Sequence, residues 1–351
     1  MSELRMVVRP ALHRPVLIAA FRGWNDGGQG ATLAAGYLAR VWQAERFADI
    51  DPEGFVDFQS NRPHVSLDEG MTRRVEWPES TFYHARIPGS ERDAVLLLGV
   101  EPSLRWRTFC RIVIDLARDL DVELVVTLGS LLADVPHTRA APVTGAASDP
   151  ELVESLGLQH SRYEGPTGIV GVLQDACRRE GVAAASLWAA VPHYVSLAPS
   201  PRAARALCDR LGQLLEVEID TTELAEAEEA YAEQVSEAVS SDDETAAYVA
   251  ELERRTDELD LEEHEELPSG DSLAAELTRF LRERDAEGDD DDVARGSEGP
   301  AERRSSPGCD ARSEARTQGA RGLVPRGRLR TKHRGEQRGP ATQTMFRWPL
   351  L

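Results

Sequence analysis

The chain has 351 residues and a formal net charge of -21, with 61 acidic and 40 basic side chains. Its length predicts about two domains and allows a substantial buried core. No apolar run reaches the length of a membrane span, and the four cysteines form no CxxC pair. The composition therefore argues against a membrane protein, a disulfide framework and a zinc site, and we expect a cytoplasmic protein without a cofactor.

The charge is distributed unevenly along the chain. Residues 1–215 have a net charge of -4, residues 216–292 of -25 and residues 293–351 of +8. This pattern predicts an α/β core domain over 1–217, an acidic helical segment over 218–287 and a disordered, Arg-rich tail over 288–351. The tail could contact nucleic acid phosphates, but the adjacent acidic segment would compete, so we do not expect nucleic acid binding.

Short apolar runs alternate with amphipathic stretches through the core domain. The apolar runs predict strands at Val16–Phe21, Val56–Phe58, Phe82–Ile87, Ala94–Val100, Leu124–Leu128 and Ala184–Val191. Helices are predicted over Gly30–Val41, along the stripe from Phe109 to Leu120, after Gly168, and along the stripe from Ala204 to Leu215. This alternation favours a three-layer α/β/α domain with a largely parallel sheet.

Four polar clusters follow predicted strands, at the ends where open α/β folds bind ligands or partners. They are Gly23–Gly28, Glu101–Arg107, Asp134–Arg139 and Pro192–Tyr194. In the first cluster, Asn25 and Asp26 either bind a ligand or partner, or form a turn and cap the next helix. In the second, Glu101 could act as a general acid or base while Arg105 binds an anion. The favoured interpretation is an ion pair that closes the loop.

The third and fourth clusters each place a histidine after a proline. His137, Thr138 and Arg139 together suit phosphate or carboxylate binding, and His193 with Tyr194 repeats the pattern at another strand end. Two such pairs raise the prospect of one shared pocket. Each histidine alone is more often a hydrogen-bonded structural residue, and a pocket does not establish a reaction.

The stretch Tyr163–Ile169 combines a turn, a helix start and polar side chains. Gly165 and Pro166 break the preceding structure, and Thr167 is predicted to cap the helix that follows Gly168. With Tyr163 and Glu164, these residues form a candidate anion-binding or partner-binding site at the positive end of a helix. The alternative is a tight loop that merely starts a packed helix.

The acidic segment is predicted to form three helices. Asp220 and Glu223 have the spacing of a capping box, and apolar stripes run from Leu224 to Ala238 and from Val249 to Leu259. A third helix is predicted over Ser272–Arg284. The stripes need a partner surface, which is either the core domain or another subunit.

Five motifs occur in a characteristic order. They are Gly23-Trp24-Asn25-Asp26, Glu101-Pro102-Ser103-Leu104-Arg105-Trp106, Val135-Pro136-His137-Thr138-Arg139, Tyr163-Glu164-Gly165-Pro166-Thr167-Gly168 and Leu187-Trp188-Ala189-Ala190-Val191-Pro192-His193-Tyr194. Together they resemble the bacterial, actinobacterial-type branch of the proteasome assembly chaperone 2 family, over residues 5–285. The resemblance implies a phosphorylase/hydrolase-like α/β/α fold, a homo-oligomer expected to be a trimer, and proteasome subunits as partners.

One feature departs from related chaperones that dock on proteasome α-rings. Those proteins often end in a hydrophobic residue, a tyrosine and one further residue, whereas this chain ends in Trp348-Pro349-Leu350-Leu351. Docking by that device is therefore not expected here.

Two functional hypotheses follow. The first is a non-catalytic assembly or interaction factor that acts as a homo-oligomer. The alternative is a protein or enzyme that binds a nucleoside- or phosphate-type small molecule in a pocket at the strand ends. The side chains that would line that pocket are Asn25, Glu101, His137, Thr167 and His193.

Overall fold

The computed structural model describes residues 3–68, 72–147, 149–158 and 163–265, which belong to one compact unit, Met1–Leu267. The predicted third acidic helix and the predicted disordered tail lie outside the described residues. None of the described helices is long and apolar enough to span a membrane.

A single large sheet forms the centre of this unit. The strands are β1 (Leu4–Met6), β2 (Val16–Arg22), β3 (Glu45–Ile50), β4 (His64–Asp68), β5 (Thr72–Glu76), β6 (Ser80–Arg86), β7 (Asp93–Val100), β8 (Leu124–Ala133), β9 (Val143–Ala147) and β10 (Ala184–Pro192). Eight of them lie in the order β1-β3-β6-β7-β2-β8-β10-β9, while β4 and β5 form a separate hairpin. The four neighbours β7, β2, β8 and β10 run parallel, so their carboxyl ends meet at one edge of the sheet.

Helices cover both faces of the sheet. They are α1 (Gly30–Val41), α2 (Trp106–Asp119), α3 (Pro150–Ser155), α4 (Ile169–Arg179), α5 (Pro201–Leu215), α6 (Thr222–Ser240) and α7 (Asp243–Glu265). Alternate side chains of β2 enter different cores: Ile18 packs in the core with α1 and α5, and Leu17 in the core with α2 and α4. The central strands read as continuous apolar runs because both faces are buried, and the three-layer α/β/α fold is confirmed. The prediction of a largely parallel sheet is wrong, because three pairings of the large sheet are parallel and four are antiparallel.

Small residues allow α1 and α5 to pack closely. A Cβ added at Gly30 would lie 2.7 Å from the Cβ of Ala203, which is closer than two carbon atoms can approach. The predicted bounds of α1 are confirmed.

Two predicted strands differ in the structure. Val56–Phe58 is not a strand, because Pro52 starts a 3-10 turn in which its carbonyl accepts hydrogen bonds from the N–H groups of Phe55 and Val56. The strand predicted to end at Leu128 continues to Ala133, because β10 runs beside it over that whole length.

The two acidic helices that the structure describes bury most of their apolar stripes within the chain, whereas Ala238 and Leu259 at the stripe ends are exposed. Leu224 and Val235 of α6 and Leu252 of α7 are each at most 3% exposed. The predicted capping box is wrong. Thr221 is the N-cap of α6, and Glu223 forms an ion pair with Arg40 of α1, at 2.7 Å, instead of reaching back to the helix start.

Candidate functional site

One carboxylate joins three segments at the carboxyl end of the sheet. Glu101 directly follows β7, and its Oε1 accepts hydrogen bonds from Asn25 Nδ2 and from the Ile169 N–H, both at 2.8 Å. Its Oε2 accepts from the Trp24 N–H at 3.1 Å. We call Trp24, Asn25, Glu101, Gly168 and Ile169 the Glu101 cluster. The chain therefore supplies its own anion at the positive N-terminus of α4, where the sequence had suggested a place for an external one.

Position 168 must be glycine, because the Asn25 and Glu101 side chains approach its backbone closely. A Cβ there would lie 2.2 Å from Asn25 Nδ2 and 2.6 Å from Glu101 Oε1. Gly168 is also the N-cap of α4, so the prediction that Thr167 caps this helix is wrong. Thr167 is exposed, and its hydroxyl lies over Gly171 in the first turn of the helix.

The loop before α4 is exposed. The hydroxyl of Tyr163 donates a hydrogen bond to the Pro166 carbonyl at 2.8 Å, which closes the turn. Glu164 and Gly165 lie at the surface of this turn. These residues face solvent beside the Glu101 cluster.

Asp26 is a helix cap. Its buried carboxylate accepts hydrogen bonds from the N–H of Ala31 at 2.9 Å, and from the N–H and hydroxyl of Thr32 at 3.2 and 2.5 Å. The Ser130 hydroxyl of β8 lies 3.4 Å from the same carboxylate. Burial raises the pKa of Asp26, and these hydrogen bonds oppose the rise. The capping alternative therefore describes Asp26 well.

A second cluster is built around a buried histidine, which is 4% exposed. The Tyr194 hydroxyl accepts a hydrogen bond from the His137 backbone N–H and shares a second hydrogen bond, of 2.8 Å, with His137 Nδ1. The His137 Nε2 lies 3.1 Å from the Ser236 hydroxyl of α6. Burial lowers the pKa of His137, and the nearby Arg202 guanidinium lowers it further. This neutral histidine joins two strand-end loops to α6, and we call His137, Tyr194 and Ser236 the His137 cluster.

The side chains next to His137 hold α7. Thr138 donates to Glu253, and Arg139 forms a two-point ion pair with Asp257, at 2.7 and 2.8 Å. The carboxylate of Asp257 has a lowered pKa because of this hydrogen bond. Planar guanidinium–carboxylate pairs of this kind favour one orientation of the two segments.

Aromatic contacts reinforce the same junction. The rings of His193 and Tyr194 each pack edge-on against Tyr248 of α7, with centroids 5.6 and 6.1 Å apart. Asp134 lies 3.1 Å from His193 Nδ1 and 3.2 Å from the Tyr248 hydroxyl.

Arg105 belongs to neither cluster. Its guanidinium pairs with Glu3 at 2.5 Å and lies 5.1 Å from the centre of the Phe55 ring. The predicted ion pair between Glu101 and Arg105 is wrong, because Glu101 bonds within its own cluster and Arg105 pairs with Glu3.

The five residues proposed to line one pocket fall into separate groups. Asn25 joins Glu101, His137 joins Tyr194, and among the described residues no side-chain hydrogen bond links the Glu101 cluster to the His137 cluster. A shallow depression of about 390 Å³ lies at the C-terminal end of α5, where it is lined by Cys208, Gly212, Ile219 and their neighbours. Because α5 runs back from the carboxyl ends of the strands, that depression is far from these clusters.

Apart from Tyr163, sequence reasoning missed a set of exposed apolar side chains around these clusters. They follow the carboxyl ends of β2, β7 and β10, extend from the end of β8, or precede α4. We call them the strand-end surface: Trp24, Leu104, Leu131, Leu132, Tyr163 and Leu197, which are 41% to 65% exposed. For Trp24 and Leu104 the available signal was a large apolar residue within a polar cluster that follows a strand.

Comparisons with known proteins agree with this architecture. The chain matches the model of the PAC2 family over residues 20–239. A PAC2 family protein from Streptomyces avermitilis is 49% identical, with a TM-score of 0.62, over 67% of this chain and 99% of that protein. A proteasome-assembly chaperone homologue from Mycobacterium tuberculosis is 48% identical, with a TM-score of 0.61, over the same shares.

A more distant structure shares the fold. An archaeal proteasome activator from Pyrococcus furiosus is 19% identical, with a TM-score of 0.56, over 67% of this chain and 97% of that protein. No curated protein matches the chain.

Proposed function

Because this chain belongs to the PAC2 family, as its ordered motifs predicted, we propose that it is a non-catalytic assembly factor that binds proteasome-related proteins. The strand-end surface is the docking surface. The observation that carries this proposal is that six large apolar side chains, on segments at the carboxyl ends of the parallel strands, are exposed. Exposed apolar patches of more than a few hundred Å² mark interaction sites in soluble proteins.

The composition of this surface suits protein recognition. Trp24 and Tyr163 are each 65% exposed, and tryptophan and tyrosine are enriched among the residues that dominate binding energy. The Glu101 cluster fixes the backbone of Trp24 directly. A side chain presented from a rigid loop loses little conformational entropy on binding, which raises the affinity.

The polar residues near this surface support structure more than chemistry. Glu101 accepts three hydrogen bonds from the chain, Asp26 accepts from the first turn of α1, and His137 is buried with a lowered pKa. His137 contacts Ser236 of α6, and Thr138 and Arg139 bond to Glu253 and Asp257 of α7, so the acidic helices lie beside the strand ends. An acidic flank next to an apolar surface favours partners with basic rims and speeds their association.

We extend the proposal to cellular context. The protein acts in the cytoplasm as a homo-oligomer, with a trimer as the expected form, and its partners include proteasome subunits. The support is the naming of a relative that is 48% identical as a proteasome-assembly chaperone homologue.

Affinity capture tests this function. The full chain serves as bait in proteasome-bearing cells, and wild type is compared with the Trp24→Ser/Leu132→Ser variant. Leu259→Ser is the control, because this α7 leucine is 61% exposed and lies outside the strand-end surface. Wild type and control should recover proteasome α or β subunits, and the double variant should recover at least tenfold less. Failure of wild type to recover either subunit contradicts the proposal, as does equal recovery by the double variant.

One atom favours the alternative of a small-molecule site. The side-chain oxygen of Asn25 is buried and has no hydrogen-bond partner, although buried polar atoms normally have one. A nucleoside-type N–H donor could satisfy it if the loop opened. Thermal-shift measurements with nucleosides, nucleotides and phosphate test this alternative, and no stabilisation at millimolar ligand would eliminate it.

A further inference from the structure

The hairpin of β4 and β5 forms an arm apart from the main sheet. Its two strands pair with each other and, in the described part of the chain, with no other strand. Val65 lies directly opposite Val75, and Leu67 lies opposite Arg73. Since successive strand residues point to opposite faces, these four side chains share one face of the arm, and Trp77 continues that face beyond β5.

Apart from Arg73, this face is apolar, and its side chains are exposed in the described part of the chain. Val65 and Leu67 are each 61% exposed, Val75 is 48% exposed and Trp77 is 50% exposed. Among the described residues, the aromatic contact of the arm with the rest of the chain is at its base, where the Trp77 and Phe58 rings lie 5.0 Å apart. The opposite face carries polar residues such as His64, Ser66 and Arg74.

Such an arm is incomplete as an isolated structure. A two-stranded hairpin is at best marginally stable in water unless its apolar face packs on something else. Exposed apolar strands also promote aggregation, so whatever packs on this face must be available whenever the protein is present. A client that binds transiently does not meet this condition, whereas a second copy of the same chain does.

We propose that the apolar face of this arm packs on a second copy of this chain. The inference rests on the self-association included in the proposed function and assigns the surface that makes it. The four apolar side chains expose roughly 400 Å² per arm, which is about half of what each partner contributes to a standard interface. The arm therefore packs on the body of the neighbouring copy, whose surface supplies the remaining area.

Charge also favours a second copy as the occupant. Arg73 lies on the apolar face and is exposed, while the neighbour offers the acidic helices α6 and α7. Residues 222–265 contain 17 acidic and two basic side chains. An arginine at the edge of the contact offsets part of the repulsion between two acidic chains.

Sedimentation of the full-length chain tests the assignment. Wild type is compared with Val65→Ser/Leu67→Ser, and the matched control is His64→Ser/Arg74→Gln on the opposite face of the same hairpin. Wild type and control should sediment at a multiple of the 38.6 kDa chain mass. The apolar-face variant should dissociate to the single-chain mass, with a dissociation constant at least tenfold higher.

Circular dichroism and thermal melting of each variant show whether the body remains folded. The arm has few contacts with the body. Once both proteins are fully dissociated, the apolar-face variant should therefore melt at the same temperature as wild type. A monomeric wild type overturns the inference, and so does an apolar-face variant that keeps the wild-type mass. If wild type is monomeric but still captures proteasome subunits, this inference fails while the docking role of the strand-end surface stands.

Discussion

Replacing Glu101 should loosen three segments at once. In Glu101→Gln, the remaining side-chain oxygen can still accept hydrogen bonds from Asn25 and Ile169. The new NH₂ group faces the Trp24 N–H, and because both groups are donors this hydrogen bond is lost. The variant also loses the negative charge at the N-terminus of α4. Glu101→Ala removes all three acceptor contacts and leaves two buried donors unpaired.

The magnitude follows from these contacts. A hydrogen bond to a charged group contributes about 1.5–3 kcal/mol and a charge at a helix terminus about 0.3–1 kcal/mol, so Glu101→Gln should lower the free energy of unfolding by about 2 kcal/mol. An unsatisfied buried donor costs about 1–3 kcal/mol, so Glu101→Ala should lower it by about 4 kcal/mol. Both values are measurable against a typical total of about 5–15 kcal/mol.

Urea unfolding at neutral pH measures both effects, and hydrogen exchange of the Trp24 and Ile169 amides localises them. Glu164→Gln is the matched control, because this glutamate is exposed in the neighbouring loop and should change stability by less than about 0.5 kcal/mol. A loss below about 1 kcal/mol for Glu101→Ala would refute the reasoning, since it would mean that the three donors find equivalent partners without the carboxylate.

Three further predictions concern the same region. Gly168→Ala should destabilise the fold by about 1–3 kcal/mol in urea unfolding, because its Cβ collides with the Asn25 amide, whereas Gly36→Ala on α1 has open space and should stabilise by about 0.5–1 kcal/mol. The lowered pKa of His137 means that the unfolded chain binds its proton more tightly, so stability should fall as the pH drops below about 6.5, and His137→Gln should reduce this loss between pH 7.5 and 5. Arg139→Gln should speed hydrogen exchange in α7 while leaving the global unfolding midpoint nearly unchanged, because its ion pair is partly exposed.

The parts of the fold that the sequence predicts well are those with strong, continuous patterns. Strand β2 and helix α1 lie where apolar runs and small residues predicted them. Strand β3 was missed, because Glu45, Arg46 and Asp49 interrupt its apolar pattern. These charges are tolerated in β3 because Glu45 is exposed and Arg46 forms an ion pair with Asp49 at 2.8 Å.

The candidate site was harder to predict, because its contacts are long-range. The sequence placed Glu101, His137 and His193 at strand ends, and the structure places them there. It could not show that Glu101 bonds to Ile169, 68 residues further along the chain, or that His137 meets Ser236, 99 residues further along. Which polar groups saturate one another depends on the order of the strands, and that order is not encoded in local periodicity.

The central claim is that the strand-end surface binds a protein partner. Its most direct test is a titration of purified proteasome α and β subunits onto the immobilised full-length chain, with wild type, Trp24→Ser/Leu132→Ser and the Leu259→Ser control measured side by side. The account predicts saturable binding to wild type and control, and a dissociation constant at least tenfold higher for the double variant. Equal affinity for all three proteins, or no binding to wild type, would contradict it.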